Sequence, residues 1–367
     1  MSNICTRVSI NLRAVKNNYI KAKKFIGNDS VCSAVIKNNA YGLGAKEIGI
    51  SLYEIGCRDF WVAYPSEAIE ARDFLPNDAK IYFLQGFNKT CLKYVKKYSI
   101  TPVINSAEEF KTIKNNNVSM VLHVDSGLNR LGLRDTDINA ILNDISSEKI
   151  KYVISHMACS DELQNPLNKI QKERFDEILA RIRAVYKREL KAGLSASAGI
   201  FLGNEYKYNI IRCGGYLYGI NFGEFKPENV LSLTTKVLQK YEVAKGTYIG
   251  YGAMYCTDKR TKIAVISIGY ADGIKRNLSN NGAVSFYDSQ GIQHKAKILG
   301  RISMDLLVCD VTNIPDNITD THATAYILDN NYTINEMAQD AKTIAYEILT
   351  GINFKSNRFD LQYCSLP

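Results

Sequence analysis

The sequence predicts an α/β chain, a (β/α)8 TIM-type barrel followed by a mainly antiparallel β domain. Three observations carry this reading. Short runs of small and branched apolar residues alternate with helical patterns up to about residue 230. Beyond that point strand-like runs follow one another across short turns, with no helix between them. A lysine, Lys37, closes the first apolar run, and chemistry in a parallel barrel sits at the carboxyl ends of the strands.

Taken in order, the barrel strands are expected at Cys32–Ile36, Phe60–Ala63, Lys80–Leu84, Pro102–Ile104, Met120–Val124, Tyr152–Ser155, Gly193–Ala196 and Tyr208–Ile211. These are runs of the length and branching expected for buried parallel strands. Helical periodicity falls between them, for example over Ala45–Ile55, Ser66–Phe74 and Asn168–Leu190. The second set of strands is expected at Val237–Val243, Lys262–Ser267, Val284–Tyr287, Lys295–Leu299 and Leu306–Val311, followed by a helix over Ile334–Leu349. The amino-terminal run Thr6–Leu12 is a further strand that can pair into the second domain. The expected division is a barrel over 8–230 and a β domain over 231–367, with residues 1–7 able to join the latter.

Composition narrows the function classes. The net charge is +9, but Lys and Arg are dispersed, and no nucleic-acid-binding motif is present. Attraction for small anionic substrates is the most this charge supports, and no nucleic-acid partner is expected. The nine cysteines are scattered without a CxxC pair, which reads as reduced thiols. The four histidines, His123, His156, His294 and His322, lack metal-ligand spacing, so no metal site is expected. No apolar run reaches the length of a membrane span, and the first residues lack a signal-peptide core. The expectation is a cytoplasmic protein without a membrane partner.

Functional residues should lie just after the barrel strands. Lys37 ends strand one, Asp125 to Arg130 follow strand five, His156 ends strand six, Ser197 ends strand seven, and Arg212-Cys213-Gly214-Gly215 ends strand eight. A strand-end lysine can be desolvated and held neutral, which suits Schiff-base chemistry. The loops after strands seven and eight often take phosphate on backbone amides, and Ser197-Ala198-Gly199 with Gly214-Gly215 permits that approach. Ser197 reads equally as a helix cap and each glycine as an ordinary turn. An amine for an aldehyde and a nest for a phosphate make pyridoxal 5'-phosphate the natural ligand.

The wording of these segments resembles one family. Ala34-Val35-Ile36-Lys37-Asn38-Asn39-Ala40-Tyr41-Gly42-Leu43-Gly44 resembles the pyridoxal-phosphate lysine motif of alanine racemases, with Leu43 where the family usually has His. His123 to Gly132 is similar to the family's KVDTGMxRLG, Ser155 to Asp161 to SHFAxAD, and Arg212 to Gly219 to RPGIxLYG. In the second domain Gly250-Tyr251-Gly252, Gly269 to Gly273, Gly300 to Asp305 and Tyr346-Glu347 resemble VSYG, GYADG, GRVCMD and INYE.

This resemblance implies an isomerase that interconverts L-alanine and D-alanine and supplies D-alanine for peptidoglycan. Lys37 is implied to hold the cofactor and to serve the D-alanine face, and Tyr251 to serve the L-alanine face. Tyrosine ordinarily titrates near 10, so the implied network from Tyr251 through His156 to Arg212 tunes it. Arg212 is implied to face the pyridine nitrogen, and Tyr41, Ser197, Gly214 and Tyr346 to hold phosphate. Arg130 and the amide of Met304 are implied to take the substrate carboxylate, and Tyr270 to narrow the entry. Tyr251 and Met304 reach the cofactor from the other subunit in this family, which implies a homodimer with shared active sites. The chain departs from the family at His123 (often a lysine that orients the carboxylate-binding arginine), Ala196 (Asn), Cys213 (Pro) and Leu306 (Gln). The other readings are a serine or broad-specificity amino-acid racemase, a non-catalytic pyridoxal-phosphate carrier, and a degenerate paralogue that binds cofactor without turnover.

Overall fold

The computed structural model describes residues 6–145, 148–186, 188–352 and 358–364. Residues 1–5 of the amino-terminal segment expected to join the second domain lie outside the described residues. The chain divides into two compact units, one of residues 15–40 and 44–227, the other of residues 1–14, 41–43 and 228–367. No helix among the described residues is long and apolar enough to cross a membrane.

The first unit is a parallel barrel. After the amino-terminal strand β1 (Thr6–Asn11), eight strands follow: β2 (Val31–Val35), β3 (Asp59–Val62), β4 (Lys80–Phe83), β5 (Ile100–Ile104), β6 (Ser119–His123), β7 (Lys149–Ile154), β8 (Lys191–Gly193) and β9 (Ile210–Cys213). They pair in sequence order, and β9 returns to β2 with Ser33 opposite Arg212. The ring closes between β8 and β9 through Asn209 N–H to Ala192 O (2.9 Å), Arg212 N–H to Ser195 O (3.1 Å) and an Ala196–Arg212 bridge. Sequential parallel order with helical crossovers is what right-handed βα units produce.

Burial explains why these runs are strands. All residues of β3 and of β5 are buried, so neither shows the alternation of a half-exposed strand. Polar residues survive there by pairing. The Trp61 ring stacks on Tyr82 with centroids 4.3 Å apart, its Nε1–H donates to Ser33 Oγ at 2.9 Å, and Tyr82 O–H donates to Asp59 at 2.8 Å.

In the second unit β10 (Leu231–Val243) organises the sheet. It is followed by β11 (Tyr248–Ile249), β12 (Tyr255–Cys256), β13 (Thr261–Ile266), β14 (Ala283–Tyr287), β15 (Gln293–Leu299), β16 (Leu307–Asp310), β17 (Thr324–Leu328) and β18 (Phe359–Cys364). The order β13-β16-β15-β14-β17-β10 closes on itself because β10 also pairs with β13. Register shifts at Leu233/Thr234 and Val237/Gln239 bend β10 enough to serve both neighbours. β1 pairs antiparallel with β10 and parallel with β18, the one parallel pairing in this sheet among the described residues.

Several local expectations are corrected. The seventh and eighth barrel strands lie at Lys191–Gly193 and Ile210–Cys213, two to three residues before and two residues after the expected runs. The helix expected over Asn168–Leu190 spans Leu167–Val185. The single helix expected over Ile334–Leu349 is two, Ile334–Asp340 and Ala345–Gly351, broken where Lys342 takes a φ of 53°.

Candidate active site

Lys37 sits one residue beyond Ile36, at the carboxyl end of β2. The sequence leads one to expect an ordinary turn after it, but Asn38, Asn39, Ala40 and Tyr41 all have φ between 51° and 57°. Four successive residues are left-handed, a conformation that non-glycine residues visit singly and at a cost. Local hydrogen bonds hold the turn: Ala40 N–H to Ile36 O (2.9 Å), Gly44 N–H to Asn39 O (2.9 Å) and Ala45 N–H to Asn39 Oδ1 (2.9 Å). Glu67 accepts Asn38 N–H at 2.6 Å, and its other oxygen accepts Ala63 N–H and Tyr64 N–H. The left-handed turn sets the base of the Lys37 side chain rigidly. Burial lowers the Lys37 amine below its ordinary value, Arg130 and Arg212 lower it further, and Glu67 opposes them.

Arg212 lies inside β9 and is 5% exposed, not at a solvated strand end. It donates to Gly193 O (3.2 Å), Leu194 O (3.1 Å) and Ser155 O, and its guanidinium lies 5.9 Å from the Trp61 ring centroid. Burial pushes it down to about 10. Among the described residues no carboxylate pairs with it, so carbonyl dipoles and an aromatic face compensate its burial. His156 is pushed down to about 3 by burial, then by Arg212, Arg130, His123 and Lys37. The same electrostatic neighbourhood therefore holds Lys37, Arg130, His156 and Arg212, four of the residues expected at the barrel rim.

Ser197 is not a helix cap: no side-chain capping bond is made in its own turn. Its Oγ instead accepts Gly214 N–H at 2.9 Å and Tyr216 N–H at 3.2 Å from beyond β9. With both amides donating to it, the hydroxyl keeps its own proton to give, and a phosphate oxygen is a fitting acceptor for it. Gly199 packs so closely that an added Cβ would lie 2.4 Å from Ser195 Oγ. Arg130 is exposed in the loop after β6, whose start is pinned by Asp125 Oδ1 to Gly127 N–H (3.0 Å) and Asn129 N–H (3.1 Å), and by Ser126 Oγ to Ser155 Oγ (2.8 Å).

The remaining predicted residues belong to the second unit. The Tyr41 and Tyr346 rings lie 5.9 Å apart, and burial with the Tyr346 neighbour pushes the Tyr41 phenol up. Tyr251 is 70% exposed on a tight turn between Gly250 (φ 73°) and Gly252 (φ 72°). Arg301 backs this turn, 3.2 Å from where a Cβ on Gly252 would stand, and donates to Met254 Sδ at 3.1 Å. Tyr270 N–H donates to Ser303 O (3.0 Å) and Ala271 N–H to Met304 O (2.9 Å), so Tyr270 and Met304 are held as one strap. Arg358 ties Asp272 to Asp305 across the strap. Tyr251, Tyr270 and Met304 are all exposed aromatic or apolar side chains of this unit.

Trp61, Glu67, Asn105, Arg301 and Arg358 were not singled out in the sequence. The Arg301 position inside the Gly300–Asp305 motif was the one available signal. No group of His, Cys, Asp and Glu among the described residues is arranged to hold a metal.

A donor set of a half-buried amine with a lowered pKa, a hydroxyl backed by two amides, and a buried arginine without a counterion fits an aldehyde that also carries a phosphate and a ring nitrogen. The alanine racemase N-terminal domain model matches residues 10–222, and the C-terminal domain model residues 230–360. An alanine racemase of Rickettsia africae is 36% identical over 97% of this chain and 98% of its own, and one of Brucella abortus is 34% identical over 97% and 93%. The crystal structure of alanine racemase from Bartonella henselae with covalently bound pyridoxal phosphate superposes with a TM-score of 0.88 at 30% identity, covering 98% of this chain and 99% of that one. Matched by both domain models, and over nearly its full length by these relatives, the chain belongs to the alanine racemase family.

Proposed function

We propose that this chain is a pyridoxal-phosphate-dependent racemase that interconverts L-alanine and D-alanine by proton transfer at two bases, Lys37 and Tyr251. The observation that carries the proposal is the amine of Lys37, half-buried at the end of β2, its pKa lowered by burial, Arg130 and Arg212, in a chain 36% identical to an alanine racemase. The bound cofactor supplies an electron-withdrawing ring that acidifies the substrate Cα–H.

The chain supplies everything else. Lys37 holds the cofactor, and its lowered pKa leaves the amine able to take a proton on one face. A lone base tends to return a proton to the side it left, so inversion needs a second group opposite, the role assigned to Tyr251. Arg212 would hold the ring nitrogen of the bound cofactor, and because a guanidinium does not readily give up its proton it would leave that nitrogen unprotonated. That restraint favours proton exchange over side reactions. His156, held neutral by burial, is assigned the role of linking Arg212 to the tyrosine supplied by the second copy. Ser197, Gly214, Tyr41 and Tyr346 hold phosphate; Arg130 and the Met304 amide hold the substrate carboxylate; Tyr270 restricts the entry to small side chains.

The exposure of Tyr251 and Met304 supports their supply to a second copy of the chain, so the working form is a homodimer with shared sites. The physiological role inferred from the activity is supply of D-alanine for peptidoglycan in the cytoplasm.

The test is turnover of L-alanine by the cofactor-loaded chain in heavy water, with D-alanine and Cα-deuteration followed by chiral chromatography and mass spectrometry, and L-serine in parallel. Fast alanine turnover that Tyr251→Phe abolishes, with the bound-cofactor absorbance unchanged, is the expected result. Turnover of serine alone reassigns the substrate. Bound cofactor without exchange of either leaves a binding protein and refutes the proposal.

A further inference from the structure

Asn280 joins two segments of the second unit that supply residues to the proposed site. It follows the short helical turn Arg276–Leu278, is half-buried, and has a φ of 61°, a left-handed conformation that asparagine tolerates better than most residues. Its Oδ1 accepts Gly300 N–H at 2.6 Å, and its Nδ2 donates to Met254 O at 3.4 Å. Gly300 opens the segment that carries Met304, and Met254 closes the turn Tyr251–Ala253. One amide side chain thus spends its acceptor on one segment and its donor on the other.

The near end of the tyrosine turn is held by backbone. Gly250 forms a parallel bridge with Arg301, and an added Cβ on Gly300 would lie 2.4 Å from Ile249 O. The far end is reached by side chains. Asn280 meets the Met254 carbonyl, and Arg301 Nε donates to the Met254 sulfur at 3.1 Å, a softer hold because that side chain is unbranched and 50% exposed. The neighbouring Ser279 acts on one segment alone: its Oγ accepts Ile302 N–H at 3.1 Å and donates to Arg276 O at 2.6 Å.

We propose that Asn280 is a positioning residue: it ties the Tyr251 turn to residues 300–304, so that the tyrosine and the Met304 segment are presented as one body. Asn280 has this role only if Tyr251 is the second base, as proposed above. The consequence is directional. D-alanine gives its Cα proton to Lys37 and takes a new one from Tyr251 on the other face. A misplaced tyrosine therefore stops inversion, while Lys37 still exchanges the proton and returns it to the face it left.

The test uses D-alanine and holoenzyme in heavy water, scored at early conversion as the ratio of deuterated D-alanine to L-alanine formed. Loss of stability, of cofactor or of active protein lowers both products together and leaves this ratio alone. Asn280→Gly keeps the left-handed backbone and removes both side-chain bonds. Asn280→Asp keeps the acceptor for Gly300 N–H and removes the donor to Met254 O. Both are expected to raise the ratio about tenfold or more, since a displacement of about 1 Å costs on the order of a hundredfold at the misplaced group. Ser279→Ala removes the acceptor of Ile302 N–H without touching the tyrosine turn, and is expected to stay within about twofold of the parent. Amide hydrogen exchange of the same proteins, read by mass spectrometry over the Gly300 peptide, is a readout independent of turnover. Gly300 is expected to lose protection in Asn280→Gly and to keep it in Asn280→Asp. A ratio at the parent value in either Asn280 variant, an equal rise in Ser279→Ala, or unchanged Gly300 protection in Asn280→Gly refutes the tie. A parent protein that neither exchanges nor racemises alanine refutes the proposed function instead, so the two failures are distinguishable.

Discussion

Replacing Ser197 with alanine isolates the phosphate cradle from the rest of the site. Ser197 and Tyr216 are each 2% exposed, and the Ser197 Oγ is the acceptor for two amides, Gly214 N–H at 2.9 Å and Tyr216 N–H at 3.2 Å. Ser197→Ala takes the Oγ acceptor away from both amides. An unsatisfied buried donor costs about 1–3 kcal/mol, and entry of a water into the space left by the hydroxyl recovers part of this, giving about 2–4 kcal/mol in the absence of cofactor. For a unit the size of the barrel, with about 2–4 °C lost per kcal/mol, the melting temperature is expected to fall by about 5–15 °C. With pyridoxal phosphate bound, a phosphate oxygen supplies the missing acceptor and the deficit is expected to shrink to less than half. Differential scanning fluorimetry of parent and variant, each with and without cofactor and with inorganic phosphate alone, measures all of these differences. A fall under about 2 °C in the cofactor-free protein would refute the orphaned-amide argument. An equal fall with and without ligand would show that the Ser197 pairing has nothing to do with anion binding.

Three further expectations follow from the electrostatics and packing. The folded-state values of His123 and His156, about 3 against an ordinary 6.5, mean that the unfolded chain binds more protons between those limits. Stability is therefore full above pH 6.5 and falls on acidification towards pH 3, by about 1.4 kcal/mol per pH unit for each imidazole, and His123→Gln removes one of the two contributions from a pH series of urea titrations. Lys37 has a folded-state value below 10.5, so cofactor-free stability rises with pH between that depressed value and 10.5; Lys37→Met abolishes this alkaline rise, and an unchanged slope in the variant would sink the assignment. An added Cβ at Gly269 would lie 2.3 Å from Met304 O and 2.4 Å from Ser303 O, both backbone atoms. Gly269→Ala is expected to cost about 1–3 kcal/mol and to lower kcat/KM by displacing the Tyr270–Met304 strap; normal kinetics in a destabilised variant would remove that strap from the site.

How far the site was legible depended on whether its chemistry is written locally. Lys37, Arg130, His156, Ser197 and Arg212 could be picked out because each lies at or just beyond a run whose apolar continuity marks a buried parallel strand, and the rim of a barrel collects whatever follows its strands. The residues that hold them could not. Asn105 is an ordinary asparagine until Leu84 and Val103 present their carbonyls to it, and Glu67 reaches the Lys37 turn from thirty residues away. Ser197 read equally well as a cap, since a serine before Ala-Gly fits both roles; the amides it accepts belong to residues 214 and 216.

The sequence by itself determined the alternation that makes a parallel barrel, the change to antiparallel strands after it, and the order of the reactive residues along the rim. These follow from hydrophobic period and strand length, which act over a few residues. The tertiary structure decided what those residues are. Closure of β9 on β8 buried Arg212 against three carbonyls, and the same burial depressed Lys37, His123 and His156. Only the folded chain holds four successive residues after Lys37 left-handed, against their local preference, because the hydrogen bonds that offset the strain come from elsewhere in the barrel as well as from the turn. Desolvation and strain are properties of surroundings, and a sequence lists a residue without its surroundings.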